Sequence, residues 1–313
     1  MTAAAAREHG GGLDAAIARY GGSRADWVDL STGVNPAPYP LPSIDAGCWN
    51  ALPDQQATTR LADAARKFWD IPGSLCVLAT PGASAAIARL PTLLPGSTVA
   101  IATPTYNEHE AAFRNAGWTV AETDEDVRVI VHPNNPDGRF HSPGALRGAF
   151  TIIDESFCDV APDRSFVADL PPNRAVVLKS FGKFWGLAGV RLGFAIGPGA
   201  LIERLADALG PWPVSGPALE IGASALADVD WAETTRKNLT RAAKRLDRIM
   251  AHSGAQLVGG TPLFRLYAVD DAPAWQGRLA DHNIWSRCFS YNRHWLRLGL
   301  PPEEHWDRLE AAL

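Results

Sequence analysis

Lys183 sits in the run Lys179-Ser180-Phe181-Gly182-Lys183-Phe184-Trp185-Gly186-Leu187-Ala188-Gly189-Val190-Arg191-Leu192-Gly193-Phe194. An amine in such a bend can attack a carbonyl and form a Schiff base, provided part of it is unprotonated. Its pKa must then fall from roughly 10.4 through desolvation or a neighbouring cation. The run supplies both influences: Phe181, Phe184, Trp185 and Leu187 make the surroundings apolar, and Arg191 offers positive charge with a bidentate grip on a phosphate. Glycines 182, 186, 189 and 193 let the backbone turn tightly or approach a ligand. An isolated lysine is ordinarily a solvated surface group, so Lys183 needs partners elsewhere in the chain to be more than that.

Candidate partners recur where short apolar runs end. Thr80-Pro81-Gly82-Ala83-Ser84 closes one run and opens a helical segment, where backbone N–H groups and a small hydroxyl can cradle a phosphate. Pro104-Thr105-Tyr106 closes the next, and Tyr106 can lie flat on a ring or serve as a lid on the core. His132-Pro133-Asn134-Asn135-Pro136-Asp137-Gly138 is a turn by composition. Asp154 ends the hydrophobic run Ile152-Ile153 and needs a cationic partner if it is buried. Near the end of the chain, Trp295-Leu296-Arg297-Leu298-Gly299 flanks an arginine with apolar residues, a setting for capture of a carboxylate, and Arg287 is a candidate for a second anionic group.

The elements that must position these residues follow from periodicity. Strands are predicted over residues 75–79, 98–102, 127–132, 150–154 and 175–178, and helices over 84–94, 107–116 and 143–149. Near-continuous apolar strands separated by helices predict an α/β fold, a three-layer, mostly parallel sheet with helices on both faces. Ligands of such sheets bind beyond the carboxyl ends of the strands, where these candidates lie. Residues 1–45 read as a Gly- and Pro-rich arm with one helix over 13–20, residues 46–210 as the large domain, and residues 211–313 as a smaller α+β domain. A long helical stretch is predicted over 217–250, after a helix over 200–209.

The lysine run resembles the Ser-x-x-Lys-x-x-Gly-Leu-Ala-Gly-x-Arg-x-Gly motif of aminotransferase-like, fold-type I pyridoxal phosphate enzymes. The segments around Gly82, Tyr106, Asn135 and Asp154 match that family's cofactor shell in the same order. The resemblance implies pyridoxal 5'-phosphate joined to Lys183, with Gly82, Ala83, Ser84, Ser180 and Arg191 around its phosphate. Tyr106 would stack on the ring, Asn135 would donate to the phenolic oxygen and Asp154 would face the pyridine nitrogen, which makes Lys183, Asp154 and Tyr106 the catalytic set. Phe157 stands where relatives often carry Tyr. Leu52, in Leu52-Pro53-Asp54, replaces a Tyr through which one subunit of related enzymes touches its neighbour's cofactor phosphate.

Within that family, His9-Gly10-Gly11, Leu30-Ser31-Thr32-Gly33-Val34-Asn35-Pro36 and the closing Trp-Leu-Arg-x-Gly-Leu-Pro resemble the branch that decarboxylates L-threonine O-3-phosphate in cobalamin biosynthesis. The implied substrate is a small phosphorylated amino acid, held by His9, Ser31, Gly33, Asn35, Arg287 and Arg297 in a homodimer. An aminotransferase such as one acting on histidinol phosphate is the alternative, and a cofactor-binding module without turnover a remote one.

Composition narrows the rest. The chain has 313 residues, 46% hydrophobic and 20% charged, with a formal charge of −5 and no basic stripe. No nucleic-acid or anionic-membrane partner is expected from that charge. Cys48, Cys76, Cys158 and Cys288 are scattered without metal-ligand spacing, so no metal is expected and reduced thiols fit a cytoplasmic location. Residues 1–9 lack the apolar core of a leader, and no apolar run approaches the ~20 residues that span a bilayer.

Overall fold

The computed structural model describes residues 9–122, 125–146 and 148–313; the leader question for residues 1–8 lies outside them. The chain opens with α1 (Leu13–Tyr20), β1 (Val28–Asp29), α2 (Gly47–Asn50) and α3 (Gln55–Phe68). It continues through β2 (Cys76–Thr80), α4 (Ala83–Leu93), β3 (Thr98–Ile101), α5 (Asn107–Asn115), β4 (Thr119–Val120), β5 (Val127–Val131), β6 (Phe150–Asp154), β7 (Ala175–Ser180) and β8 (Gly193–Gly197). Then come α6 (Gly199–Leu209), α7 (Gly216–Ala227) and α8 (Val229–His252). The last stretch holds β9 (Gln256–Thr261), β10 (Phe264–Ala268), α9 (Ala272–Asp281), β11 (Ile284–Trp285), β12 (Arg287–Phe289), β13 (Asn292–Gly299) and α10 (Trp306–Ala311). One compact unit comprises residues 38–135 and 139–236; the other comprises the residues through 37, 136–138 and 237–313.

The larger unit is built on a seven-stranded sheet of order β2-β8-β7-β6-β5-β3-β4. Strands β3 to β7 run parallel, while β8 is antiparallel to both neighbours, β7 and β2. Its central strands carry the uninterrupted apolar sequence of a doubly covered sheet. On one face Ile87, Leu90, Phe113 and Leu205, from α4, α5 and α6, pack with Val129, Ile152, Val176 and Leu178. Side chains alternate along a strand, so Glu155 and Lys179, which follow the strand residues Asp154 and Leu178, turn to the opposite face. There Trp69, at the end of α3, meets Lys179. Asp54 starts α3 by accepting from the Ala57 N–H at 2.7 Å.

Two helical expectations are corrected. Residues 143–149 form a short 3₁₀ turn, Pro143–Leu146, and Arg147 lies outside the described residues; Pro143, Gly144 and Gly148 are poor helix formers. The stretch 217–250 is two helices, because Asp228 leaves the helical region (φ −93, ψ 76) and its carboxylate accepts from the Trp231 N–H at 3.0 Å, starting α8 anew.

The smaller unit holds an antiparallel sheet of order β12-β13-β10-β9 and the parallel pair β1-β11. Leu13 and Ala16 of α1 pack with Trp27 and Ala280. The loop after β1 lies along the end of β13, where the Gly299 N–H donates to the Leu30 carbonyl at 2.6 Å. Among the described residues no helix is long and apolar enough to cross a membrane.

Candidate functional site

Three strand ends meet in the larger unit. Gly193, which starts β8, is the register partner of both Thr80 at the end of β2 and Ser180 at the end of β7. This brings Ser180 beside the turn that opens α4. That turn is tight: the Gly82 N–H donates to the Thr80 carbonyl at 2.7 Å, and Gly82 has φ +80, which favours glycine. A Cβ on Gly82 would run into the Arg191 guanidinium, and one on Gly193 into the backbone N of Ala83. Arg191 thus lies against the N-terminus of α4, held there by a left-handed backbone (φ 56, ψ 48) and a 3.1 Å bond to the Ala188 carbonyl. An exposed guanidinium beside the first N–H groups of a helix, with Ser84 in its first turn and Ser180 adjacent, offers the donors that a phosphate cradle needs.

At the end of β6, Asp154 is 2% exposed. Its Oδ2 lies 2.9 Å from Nε2 of His109 on α5, and its Oδ1 accepts from the Ser156 N–H at 3.0 Å and hydroxyl at 2.5 Å. Burial works against the charge, but His109 and Ser156 outweigh it, so the carboxyl sits below its ordinary value and stays ionised. A carboxylate fixed in this way can face a protonated ring nitrogen. His109 was not singled out in the sequence; its only signal is a position one helical turn after Tyr106.

Two lysines four residues apart play different parts. Lys179 is 1% exposed, its ammonium 2.7 Å from Glu155 and 3.4 Å from Asp159. Burial alone would depress its pKa, but the two carboxylates raise it well above the ordinary lysine value, so it remains a cation and no nucleophile. Lys183 is partly exposed between the buried residues Gly182 and Phe184, with its amine over the Phe157 ring at 5.3 Å from the centroid. It is the lysine of the run that can meet a carbonyl.

Tyr106 caps the start of α5, with its ring edge-on to His109 at 6.1 Å. Asn134 fastens the turn after β5 to the segment before α5: its carbonyl accepts from the Thr105 hydroxyl at 2.6 Å and its amide donates to the Pro104 carbonyl at 3.1 Å. The neighbouring Asn135 is half-buried. Nearby, His132, Glu155 and Cys158 bring metal-ligand atoms within 4.8 Å of one another. Both His132 nitrogens already meet backbone groups, of Arg164 and His141, and Glu155 already accepts from Lys179, Ser165 and Phe166; a cation there would have to displace all of these.

The smaller unit gathers its own polar set. Arg297 on β13 is 5% exposed and donates to the Ser31 carbonyl. Ser31 is fixed by Asp29, whose carboxylate accepts from its N–H at 2.8 Å and its hydroxyl at 2.5 Å, while the Ser31 hydroxyl accepts from the Gly11 N–H at 2.7 Å. Arg287 donates to the His9 carbonyl. Gly33 takes φ +63 and Asn35, 3% exposed, accepts from the Ala37 N–H at 3.0 Å. The structure therefore brings His9, Ser31 and both arginines together, while the Asn35 side chain shapes its own turn.

The larger unit's donors suit a phosphorylated pyridine aldehyde: cradle, ionised Asp154 and accessible Lys183 all lie at the carboxyl ends of β6 and β7 or beside them. Comparison with known proteins agrees. The profile of the aminotransferase class I and II family matches residues 43–313. The chain is 40% identical to a threonine-phosphate decarboxylase of Pseudomonas aeruginosa, over 98% of this chain and 97% of that protein. It is 39% identical to a threonine-phosphate decarboxylase of Sinorhizobium sp, over 96% and 95% respectively. The solved histidinol-phosphate aminotransferase of Sinorhizobium meliloti in complex with pyridoxal-5'-phosphate shares the fold, with TM-score 0.83 at 17% identity over 96% of this chain and 92% of that one.

Proposed function

The chain belongs to the aminotransferase class I and II family, and from that premise we propose that it is a pyridoxal phosphate-dependent lyase that decarboxylates L-threonine O-3-phosphate. The observation that carries this reading is the identity of 40% to a threonine-phosphate decarboxylase over nearly the whole of both chains. The second such relative supports it independently of organism.

Pyridoxal 5'-phosphate would be held by Gly82, Ala83, Ser84, Ser180 and Arg191 at its phosphate, by Asp154 at its ring nitrogen, by Tyr106 at its face and by Asn135 at its phenolic oxygen. When bound, it withdraws electrons from bonds to the substrate's α-carbon. Asp154 keeps the ring nitrogen protonated by remaining ionised, and His109 and Ser156 keep Asp154 so. Lys183 would hold the cofactor through its amine and, once that amine is free, would carry a proton at Nζ. Arg297 and Arg287 hold the substrate's anionic groups, with Ser31 and His9 beside them. The α-carboxylate leaves as carbon dioxide, and a proton takes its place on the α-carbon to give 1-aminopropan-2-ol phosphate, the amino alcohol that the branch resemblance ties to cobalamin assembly.

The same residues could serve transamination, so the assay must separate the two. Purified protein with pyridoxal phosphate should release carbon dioxide from L-threonine O-3-phosphate with no 2-oxoacid present. Turnover of histidinol phosphate that requires 2-oxoglutarate, with no release of carbon dioxide, would overturn the reading. A homodimer belongs to the same proposal: Trp49, Leu52 and Trp212 are large apolar side chains exposed by more than half on the larger unit, and light scattering at twice the 33.5 kDa chain mass checks it.

A further inference from the structure

Lys183 stands in an irregular bend, yet an amine that must reach a reacting carbonyl tolerates displacement of only about 1 Å before the rate falls steeply. Trp185, two residues on, is where the bend is held. Its side chain is fully buried. The indole is stacked between Phe181 (5.1 Å, 8°) and Trp231 (5.2 Å, 13°), with Phe184 and Tyr39 edge-on. Its carbonyl accepts from the Tyr39 N–H at 2.9 Å, and its indole N–H donates to Oδ2 of Asp159 at 3.2 Å.

Asp159 lies in the turn that follows Asp154, Ser156 and Phe157, and is 5% exposed. Its Oδ1 accepts from the Trp69 indole at 2.9 Å and lies 3.4 Å from the Lys179 ammonium, while its backbone carbonyl accepts from Nε of Arg236 at 2.8 Å. Lys179 already has Glu155 at 2.7 Å, so neutralising that ammonium does not require a second buried carboxylate. Burying one is unfavourable unless its bonds do something else. What Asp159 adds is the link between two indoles, one at the end of α3 and one in the lysine bend.

We propose that Asp159 is a positioning residue for Lys183: through the Trp185 indole N–H it fixes the bend of residues 181–186 and with it the place of the amine. The proposal rests on Lys183 carrying the cofactor. Trp185→Phe tests it directly, because an aromatic ring stays in the stack while the indole N–H is lost together with part of the ring; the nearly isosteric Asp159→Asn and the double variant complete a cycle. Each protein is prepared without cofactor and mixed with pyridoxal phosphate, and the rate of recombination, the pH midpoint of the visible absorbance and the steady-state constants are measured.

For Trp185→Phe the expected result is a recombination rate and a kcat each reduced by about tenfold, KM within about twofold of wild type, and an absorbance midpoint moved by about one pH unit. The double variant should lose no more than Asp159→Asn alone. If Trp185→Phe melts at a lower temperature but keeps the wild-type recombination rate, midpoint and kcat, the bond is structural only and the proposal fails. Should Asp159→Asn not fold, Trp185→Phe alone decides. Wild-type protein that gives no visible absorbance with pyridoxal phosphate overturns the cofactor reading itself, which separates that failure from this one.

Discussion

Arg287 on β12 and Arg297 on β13 are direct register partners across an antiparallel pair. Like charges set opposite each other on one face oppose folding, and here one of them is buried. Burial first, and then the charge of Arg287, draws Arg297 down to about 10, which leaves it a cation at neutral pH. A cation pair of this kind makes sense as a seat for an anion. Replacing Arg287 with Met should therefore leave the melting temperature at or above that of wild type while KM for L-threonine O-3-phosphate rises by at least about tenfold. Calorimetry and initial rates on one preparation check both halves; a lower melting temperature with unchanged KM would make Arg287 structural.

His109 and Asp154 form a buried pair, and removing one partner of such a pair leaves an uncompensated charge. His109→Leu should lower stability by about 3–5 kcal/mol, and a carboxylate no longer held ionised should bind the cofactor roughly tenfold more weakly. Urea unfolding and a cofactor titration followed by absorbance measure the two effects.

The two lysines separate by substitution. Lys183→Ala should fold as wild type does, since the side chain is partly exposed, but give no visible absorbance with cofactor and no turnover. Lys179→Met strands Glu155 and Asp159 in the core and should lose about 3–5 kcal/mol of stability, while the protein that folds retains the absorbance. Finding the visible absorbance in Lys183→Ala and not in Lys179→Met would reverse the assignment.

What was legible in the sequence was what is local. Residues 150–154 were expected as a strand and are β6, and residues 13–20 were expected as a helix and are α1, because apolar runs and helical spacing act over a few residues. Asp154 and Lys183 could be picked out because each ends or follows such a run. His109 could not, since its meaning comes from Asp154, which lies 45 residues away in sequence and 2.9 Å away in space. Asp159 and Lys179 were silent for the same reason, and Trp185 was legible only as an apolar neighbour of Lys183: a buried polar network is defined by long-range partners, and each member alone reads as an ordinary loop or strand residue. The break at Asp228 was hidden because one acidic residue can end a helix or sit on its solvated face, and periodicity does not distinguish these.

Gly193 has room for no side chain. An added Cβ would drive into the Ala83 backbone at the opening of α4, and backbone cannot swing aside as the end of a side chain can. Gly193→Ala should shift the first turn of that helix, weaken pyridoxal phosphate binding by about tenfold or more and lower stability by about 1–3 kcal/mol. Gly189→Ala, where an added Cβ meets nothing within 4 Å, is the control and should change neither.

The ionised state of Asp154 also fixes how the protein responds to acid. Its folded pKa lies below the ordinary value of 3.8, so the group contributes stability that is fully present above that value and is lost as pH falls through the folded pKa. Two consequences follow for measurement. The difference in unfolding free energy between wild type and Asp154→Asn should hold steady from pH 7 down to about 5 and shrink only as pH drops below about 4. His109→Asn removes a bond that holds the carboxyl ionised and should move the acid limb of the activity profile to higher pH, whereas Asp154→Asn should lose turnover by roughly a thousandfold at every pH. A free-energy difference that already falls between pH 7 and 5 would mean that Asp154 is protonated near neutrality and could not hold a cationic ring nitrogen.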